Sequence, residues 1–409
     1  MPQIVISGIG VVSPHGTDAQ AMFEALMRGE SAVQPVFAET NKPAAAVAAA
    51  AATIAAFDVS RWFTKLQLAG VDRVSQFAVA AADMALCDAK AQGQVDGLRV
   101  GVYVGCGMGG ATALEAAYRA GLQGARVPPL TIPAFMPNAS AAHVAMRQGV
   151  LGPVMTYSMA CASSSVAIAE AAKALRHGEI DLAIAGGSEA VVVPGVVAAW
   201  QAMQTLATIT SEGAARSCRP FATDRSGFAL GEGAAFVVME DENKARQRGA
   251  KAYAALAGAG LSCDASHLTK PNVAGQKRAL LAALHQAGLT PGEVGYCNAH
   301  GTATRIGDVV ESQAIIDVWH GAMGGLKVSS TKALHGHLLG AAGALEAVIT
   351  VLALYEQRLP PNAHCDTQDS DCGIPLVLNT QQSAPDLKAA ISNSFAFGGT
   401  NSVLAFRRL

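Results

Sequence analysis

One scheme runs through this chain twice. Runs rich in Val and Ile close on Gly-rich or polar turns and alternate with Ala-rich helical stretches. Ile4–Val12 reads as a first strand. Residues 74–89 read as a helix, 99–105 as a strand, 153–160 as a strand entering a helix after Cys161, and 180–186 as the strand leaving it. The second half echoes the first. Residues 253–258 resemble the opening strand, and 294–299 run into HGTAT ahead of a helix over 308–319. Residues 326–329 run into TKALHGH and an Ala-rich helix, and 389–394 form a last strand ending in FAFGGTN. Such alternation commits the chain to an α/β fold with buried strands. The echo predicts an internal duplication joined near residues 245–252, with one half over 1–248 and the other over 249–409. Residues 44–73 carry little pattern and read as irregular chain or an excursion over the surface.

Composition narrows the class of function. The 409 residues are 51% hydrophobic and only 15% charged, which suits a heavily buried fold with ample core. A formal net charge of −2 gives no reason to expect a nucleic-acid partner. The opening MPQIVISGIGVVSP lacks the basic and long apolar regions of a signal peptide. No apolar run reaches the ~18 residues of a membrane span without a charge or a Gly. The expected compartment is the cytoplasm, with no membrane association. Cysteines at 87, 106, 161, 218, 263, 297, 365 and 372 show neither CxxC nor Cys/His ligand spacing, so they read as reduced thiols.

Cys161 stands apart from the rest. It falls where a β-rich run turns into a helix whose first two turns, 162–169, carry no charge. Glu170, Lys173, Arg176 and His177 mark a solvated stripe near the other end, and Gly178 stops the helix. The helix is therefore expected to start inside the protein. A thiol there meets unpaired backbone N–H groups and the positive end of the helix dipole, and both favour the nucleophilic thiolate. Small neighbours leave room for a substrate and let backbone amides reach an oxyanion. A buried free cysteine is more often a small hydrophobe, and Cys87 and Cys263 are read that way. For Cys161, position alone leaves both readings open.

A cysteine nucleophile needs partners, which need not be near in sequence. His300 closes an apolar strand in NAHGTATRIGD, and His337 follows Gly336 in SSTKALHGHLLGAAGALE. The histidines at 177, 285, 320 and 364 read as structural. Gly105, Gly107 and Gly110 fit the G-x-G-x-x-G spacing. No Asp or Glu occurs between Glu115 and Glu170, where a dinucleotide loop would want its acid, so a nucleotide is discounted.

CASSS after a strand, NAHGTAT, STKALHGHLLGAAG and NSFAFGGTN, in this order, resemble the β-ketoacyl-acyl-carrier-protein synthases, and most nearly the synthase II type. GIGVVSPHG and RPFATDRSGFALGEGA extend the resemblance over essentially the whole chain. It implies a thiolase-like α/β fold, a duplicated αβαβα five-layer architecture with mixed central sheets. It implies Cys161 as nucleophile, His300 and His337 as active-site histidines, Lys332 as the active-site lysine and Glu346 as the acid supporting it. It further implies an oxyanion hole from the backbone N–H groups of Cys161 and Phe397. Phe397 would gate the acyl pocket, Thr302 and Thr304 would bind the pantetheine arm, and Met108 would set pocket depth.

The implied reaction is a decarboxylative Claisen condensation, in fatty-acid or specialised polyketide or polyene biosynthesis. No metal or organic cofactor is called for, since the substrates ride on the phosphopantetheine of an acyl carrier protein. The implied assembly is a homodimer, or a heterodimer with a chain-length-factor-like subunit. A thiolase would need a second catalytic cysteine in the C-terminal Gly-rich turn, where this chain has FAFGGTN. A non-elongating chain-length-factor-like subunit is the alternative, and the presence of Cys161, His300, Lys332 and His337 argues against it. Three departures from the family pattern stand out. Ala396 replaces the usual Gly and is expected to stiffen the loop carrying Phe397. His335 replaces a small polar residue and reads as structural or supporting. In KLQLAGVDR, Leu68 and Ala69 stand where basic residues are typical, leaving Arg61, Lys65 and Arg73 to meet an acidic carrier protein.

Overall fold

The structure, a computed structural model, describes residues 2–37 and 48–409. Its centre is a mixed ten-stranded sheet. The order is Lys327–Ser329, Tyr296–Asn298, Ala389–Phe395, Thr400–Arg407, Ala254–Cys263, Ile4–Val12, Gly233–Asp241, Leu182–Glu189, Val100–Gly105, Val154–Tyr157. Each half of the chain lays its five strands in the same spatial order: third, second, fourth, fifth, first. In both, the second strand runs parallel to the third and fourth, and the fifth runs antiparallel to its neighbours. The halves meet where Val5 and Ile6 pair with Ala255 and Ala254. The chain crosses between them through the short helix Glu242–Gln247.

Helices make the remaining layers. Arg73–Asp88 packs on the strands of the first half, and Val273–Ala287 packs on those of the second. Ser163–Arg176 and Ala342–Glu356 lie at the centre, touching each other and strands of both halves. From Ala342 to Leu354 the second of these has Glu346 and Thr350 as its only polar side chains, and every residue of that stretch is buried. A helix apolar all round must be enclosed. The segment Leu339–Glu356 is long and apolar enough to cross a membrane, but 89% of it is buried inside the protein, which marks a core helix.

Close approach explains the small residues after Cys161. A Cβ on Gly343 would lie 2.2 Å from Ser165 Oγ, and one on Gly105 would lie 2.2 Å from the backbone N of Ser164. The Ala344 N–H donates to Ser164 Oγ at 2.8 Å, and the hydroxyls of Ser165 and Ser394 meet at 2.7 Å. The same tightness continues through the turn after the strand Val100–Gly105, where a Cβ on Gly110 would lie 2.3 Å from the carbonyl O of Ala134. The outer layers show the duplication again. A Cβ on Gly10 would sit 2.0 Å from the carbonyl O of Ala81, and one on Gly260 would sit 2.0 Å from that of Ala279.

Most sequence-based elements lie within a few residues of their expected ends; the helix expected at 74–89 spans Arg73–Asp88. The expectation of irregular chain fails at Ala49–Ala52. This strand pairs with Val33–Val36 and Leu230–Gly231, an instance of tertiary pairing overriding the poor strand propensity of alanine. Residues 44–47 of that stretch lie outside the described residues. Replacing Gly260 by Val should destabilise the fold by about 3 kcal/mol, because the clash is with backbone and cannot relax cheaply. Thermal unfolding measures this, and an unchanged melting temperature contradicts the packing described.

Candidate active site

Cys161 sits in the turn between the strand Val154–Tyr157 and the central helix Ser163–Arg176. The turn is tight, with Ala160 at a φ of 44°, in the left-handed region. Ser163 holds it: its hydroxyl donates to the Ala160 carbonyl at 2.6 Å and accepts from the Met159 N–H at 2.8 Å. The thiol is buried, and the backbone N–H groups of Phe397 and Cys161 both point at it. The pull of the helix start toward thiolate is opposed here by burial. Burial pushes the thiol up to about 12; the Lys332 charge opposes it, the Glu346 charge reinforces it, and the two amides pull it back only in part. Enclosure of the sulfur outweighs what amides and dipole return.

The histidines reach the same space from the second half of the chain. His337 Nε2 lies 3.0 Å from Cys161 Sγ, and the two imidazoles stand nearly perpendicular, with centroids 5.4 Å apart. Their other nitrogens are occupied. The Leu339 N–H donates to His337 Nδ1 at 3.3 Å, and Lys332 Nζ lies 3.4 Å from His300 Nδ1. An Nδ1 that accepts leaves the ring proton on Nε2. Both rings therefore aim an Nε2–H at the cavity. Burial, and then the Lys332 charge, hold both histidines well below their usual pKa, so they stay neutral donors. The ring nitrogens and the thiol sulfur lie within 4.8 Å of one another, close enough for a metal ion. Protonated Nε2 atoms offer such an ion no lone pair.

Lys332 and Glu346 form a fully buried ion pair beneath this site. Lys332 also donates to the His300 carbonyl at 2.6 Å. Burial pushes Glu346 up to about 7, against the pull of Lys332. Glu311 was not anticipated. It accepts from the N–H groups of His300 at 2.8 Å and Gly301 at 2.7 Å, and from Asn393 Nδ2 at 3.0 Å. Its signal lies in Asp308 and Glu311, two acids three residues apart on the face of the helix that also carries Ile315 and Trp319.

Cys161, His300, His337 and Glu311 line a cavity of about 460 Å³ that opens between Asp264, the stretch His267–Pro271, Arg305 and Ile306. Thr302 and Thr304 line it, their hydroxyls 3.0 Å apart, and Thr304 also caps the helix Arg305–Trp319 by accepting from the Gly307 N–H. Phe397 lines it, stacked on Trp200 with centroids 6.0 Å apart; Trp200 in turn meets Phe228, which meets His337 edge-on. Met108 is not brought to this cavity: its side chain is 41% exposed and its N–H donates to Glu189 at 3.2 Å. Ala396 has no positive φ; that strain falls on Gly398 and Gly399, at 87° and 74°. Ala396 therefore fits this conformation freely, and its Cβ resists only movements that carry residue 396 to positive φ. The Gly398 N–H donates to the Leu268 carbonyl at 2.7 Å, and the Asp264 N–H donates to the Gly399 carbonyl at 2.8 Å. The loop bearing Phe397 is thus tied to the rim of the mouth.

Family models described as "Beta-ketoacyl synthase, N-terminal domain" and "Beta-ketoacyl synthase, C-terminal domain" match residues 1–245 and 253–366. Nodulation protein E of Rhizobium sp. (strain N33) is 40% identical over 416 residues, spanning 100% of this chain and 99% of the relative. The 3-oxoacyl-[acyl-carrier-protein] synthase 2 of Staphylococcus aureus (strain COL) is 35% identical over 411 residues, spanning 99% and 98%. Among solved structures, the ishigamide ketosynthase/chain length factor superposes with a TM-score of 0.91 at 30% identity, covering 100% of this chain and 99% of that one. The chain belongs to the β-ketoacyl synthase family. Its fold is thiolase-like, and it is an acyltransferase of the β-ketoacyl synthase class.

A raised thiol pKa means a small thiolate fraction at neutral pH that grows as pH rises toward that pKa. Alkylation of Cys161 by iodoacetamide should climb roughly tenfold per pH unit from about pH 7 to about pH 9. A plateau already reached by about pH 7 would show a thiol ionised at rest.

Proposed function

We propose that this enzyme joins an acyl group, held on Cys161, to a malonyl unit carried by an acyl carrier protein. The observation that carries the reading is the pair of Nε2–H donors converging beside a buried thiol. In the first half-reaction Cys161 sulfur attacks the acyl thioester carbon. The oxyanion is received by the N–H groups of Cys161 and Phe397, and the thiol proton leaves with the pantetheine sulfur. His337 is no base here, because its Nε2 already bears a proton. In the second half-reaction the malonyl carboxylate departs as CO₂. The electron pair of the broken C–C bond passes into an enolate whose oxygen accepts from His300 and His337. The enolate carbon attacks the acyl carbon, and the Cys161 thiolate leaves and is reprotonated. Lys332 and Glu346 hold His300 in place, and Thr302 and Thr304 meet the pantetheine arm. No metal or organic cofactor takes part in this scheme. The exposed Lys270 and Arg305 at the mouth suit the phosphate end of that arm.

Cys161→Ala should abolish condensation. His300→Ala and His337→Ala should each lower malonyl decarboxylation about 100-fold while acyl loading of Cys161 falls much less, since the enolate forms only in the second half-reaction. Separate assays of the two half-reactions test this, and equal losses in both contradict the roles given.

The boundary between the two halves is placed at residues 248/249, and the repeated strand order supports it. The enzyme is placed in the cytoplasm. A dimer through Val154–Tyr157 is supported by the position of that strand at the sheet edge, with Val154 and Met155 exposed. One observation favours a partner other than a second copy. Of the three cations left to meet a carrier protein, Arg73 is withdrawn: it bonds Glu232 at 2.7 Å and lies over Phe77. Leu66 beside them is 87% exposed. That surface is poor in free charge, and a chain-length-factor-like subunit would complete it. Co-expression with such a subunit should give a heterodimer by size-exclusion chromatography and higher elongation activity. A homodimer that elongates at full rate, with strong salt dependence, contradicts this and leaves the simpler assembly.

A further inference from the structure

We propose that His335 is a positioning residue: its ring staples Thr331 to Gly336 and so fixes the spacing between Lys332 and His337. The proposal rests on the functional reading given above. His335 is fully buried, and each ring nitrogen has one partner. Nε2 lies 2.9 Å from Thr331 Oγ1, and Nδ1 lies 2.7 Å from the Gly336 carbonyl. A carbonyl only accepts, so Nδ1 carries the proton and Nε2 accepts from the threonine hydroxyl. The bonds therefore end on the residue before Lys332 and on the residue before His337.

The backbone between them needs a staple. Lys332–His335 is a single helical turn, too short to hold itself. It ends at Gly336, whose φ of 70° no L side chain adopts readily. Its carbonyl orientation fixes the plane of the peptide that delivers His337, whose N–H donates to the Ala229 carbonyl at 2.7 Å. The backbone of the turn is tied in addition to a neighbouring segment, where the Ala32 N–H donates to the Leu334 carbonyl at 2.8 Å. Burial, with the neighbouring Lys332 and His15 charges, pushes His335 down to about 3, so the ring stays neutral and both bonds persist across the working range.

Loss of the staple frees His337 Nε2 to drift from its 3.0 Å approach to Cys161 Sγ. Enolate formation needs two donors on one oxygen and suffers most. Acyl loading uses the amides of Cys161 and Phe397, on other segments, and suffers least. Three variants separate the two bonds. H335A removes both. H335N keeps a donor near the Nδ1 position, and H335Q keeps only the reach toward Thr331. Malonyl decarboxylation and acyl loading of Cys161 are assayed separately, with melting temperatures alongside. In H335A, kcat for decarboxylation should fall about tenfold or more, with KM and acyl loading changed by less than about threefold. H335N should recover most of that loss and H335Q little. Equal loss in both half-reactions, full decarboxylation in a folded H335A, or H335N no better than H335Q overturns the proposal. Should H335A not fold, the ranking of H335N against H335Q decides alone. A wild-type protein that fails to decarboxylate malonyl carrier protein strikes the functional reading itself, which keeps the two failures distinct.

Discussion

A buried ammonium organises the centre of this protein. Lys332 has no exposed surface, and a lone charge there would be prohibitively unstable. Its partners are therefore strict requirements: Glu346 from the central helix, the His300 carbonyl, and His300 Nδ1. A buried ion pair is weak evidence for stability, since desolvation offsets much of the attraction. Its effect here is geometric. It locks a strand end, a one-turn helix and the core helix to one point. It also dictates the histidine tautomer, because an ammonium can only donate.

The tautomer carries the chemistry. A Cys-His pair at 3.0 Å invites reading the imidazole as the base that ionises the thiol. The Leu339 amide argues otherwise, since it occupies the lone pair on Nδ1 and leaves Nε2 protonated. The site thus consists of donors facing an enclosed space, with one neutral thiol among them. Such a site is suited to developing negative charge on oxygen.

Much of this was legible in the sequence. The period of strand and helix is set by local burial, so the α/β fold and its repetition could be read directly. Cys161 was marked by what surrounds it, since only small residues permit the approach of Gly105 and Gly343. His300, His337, Lys332 and Glu346 became a set through ordered motifs; composition alone would not have joined residues so far apart. Trp200 and Glu311 were missed because their roles arise from contacts across the fold that no local pattern encodes. The pull of the helix start on Cys161 is visible in sequence, while the extent of its enclosure is a property of the folded whole.

The ties between the Phe397 loop and the rim of the mouth carry a further consequence. Gly398 bonds Leu268, and Asp264 bonds Gly399, so these two segments act as an interlock. Swinging the aromatic aside disturbs the rim, and anything seated against the rim pulls on the aromatic. A carrier seated against that rim would therefore bear directly on the loop that holds Phe397.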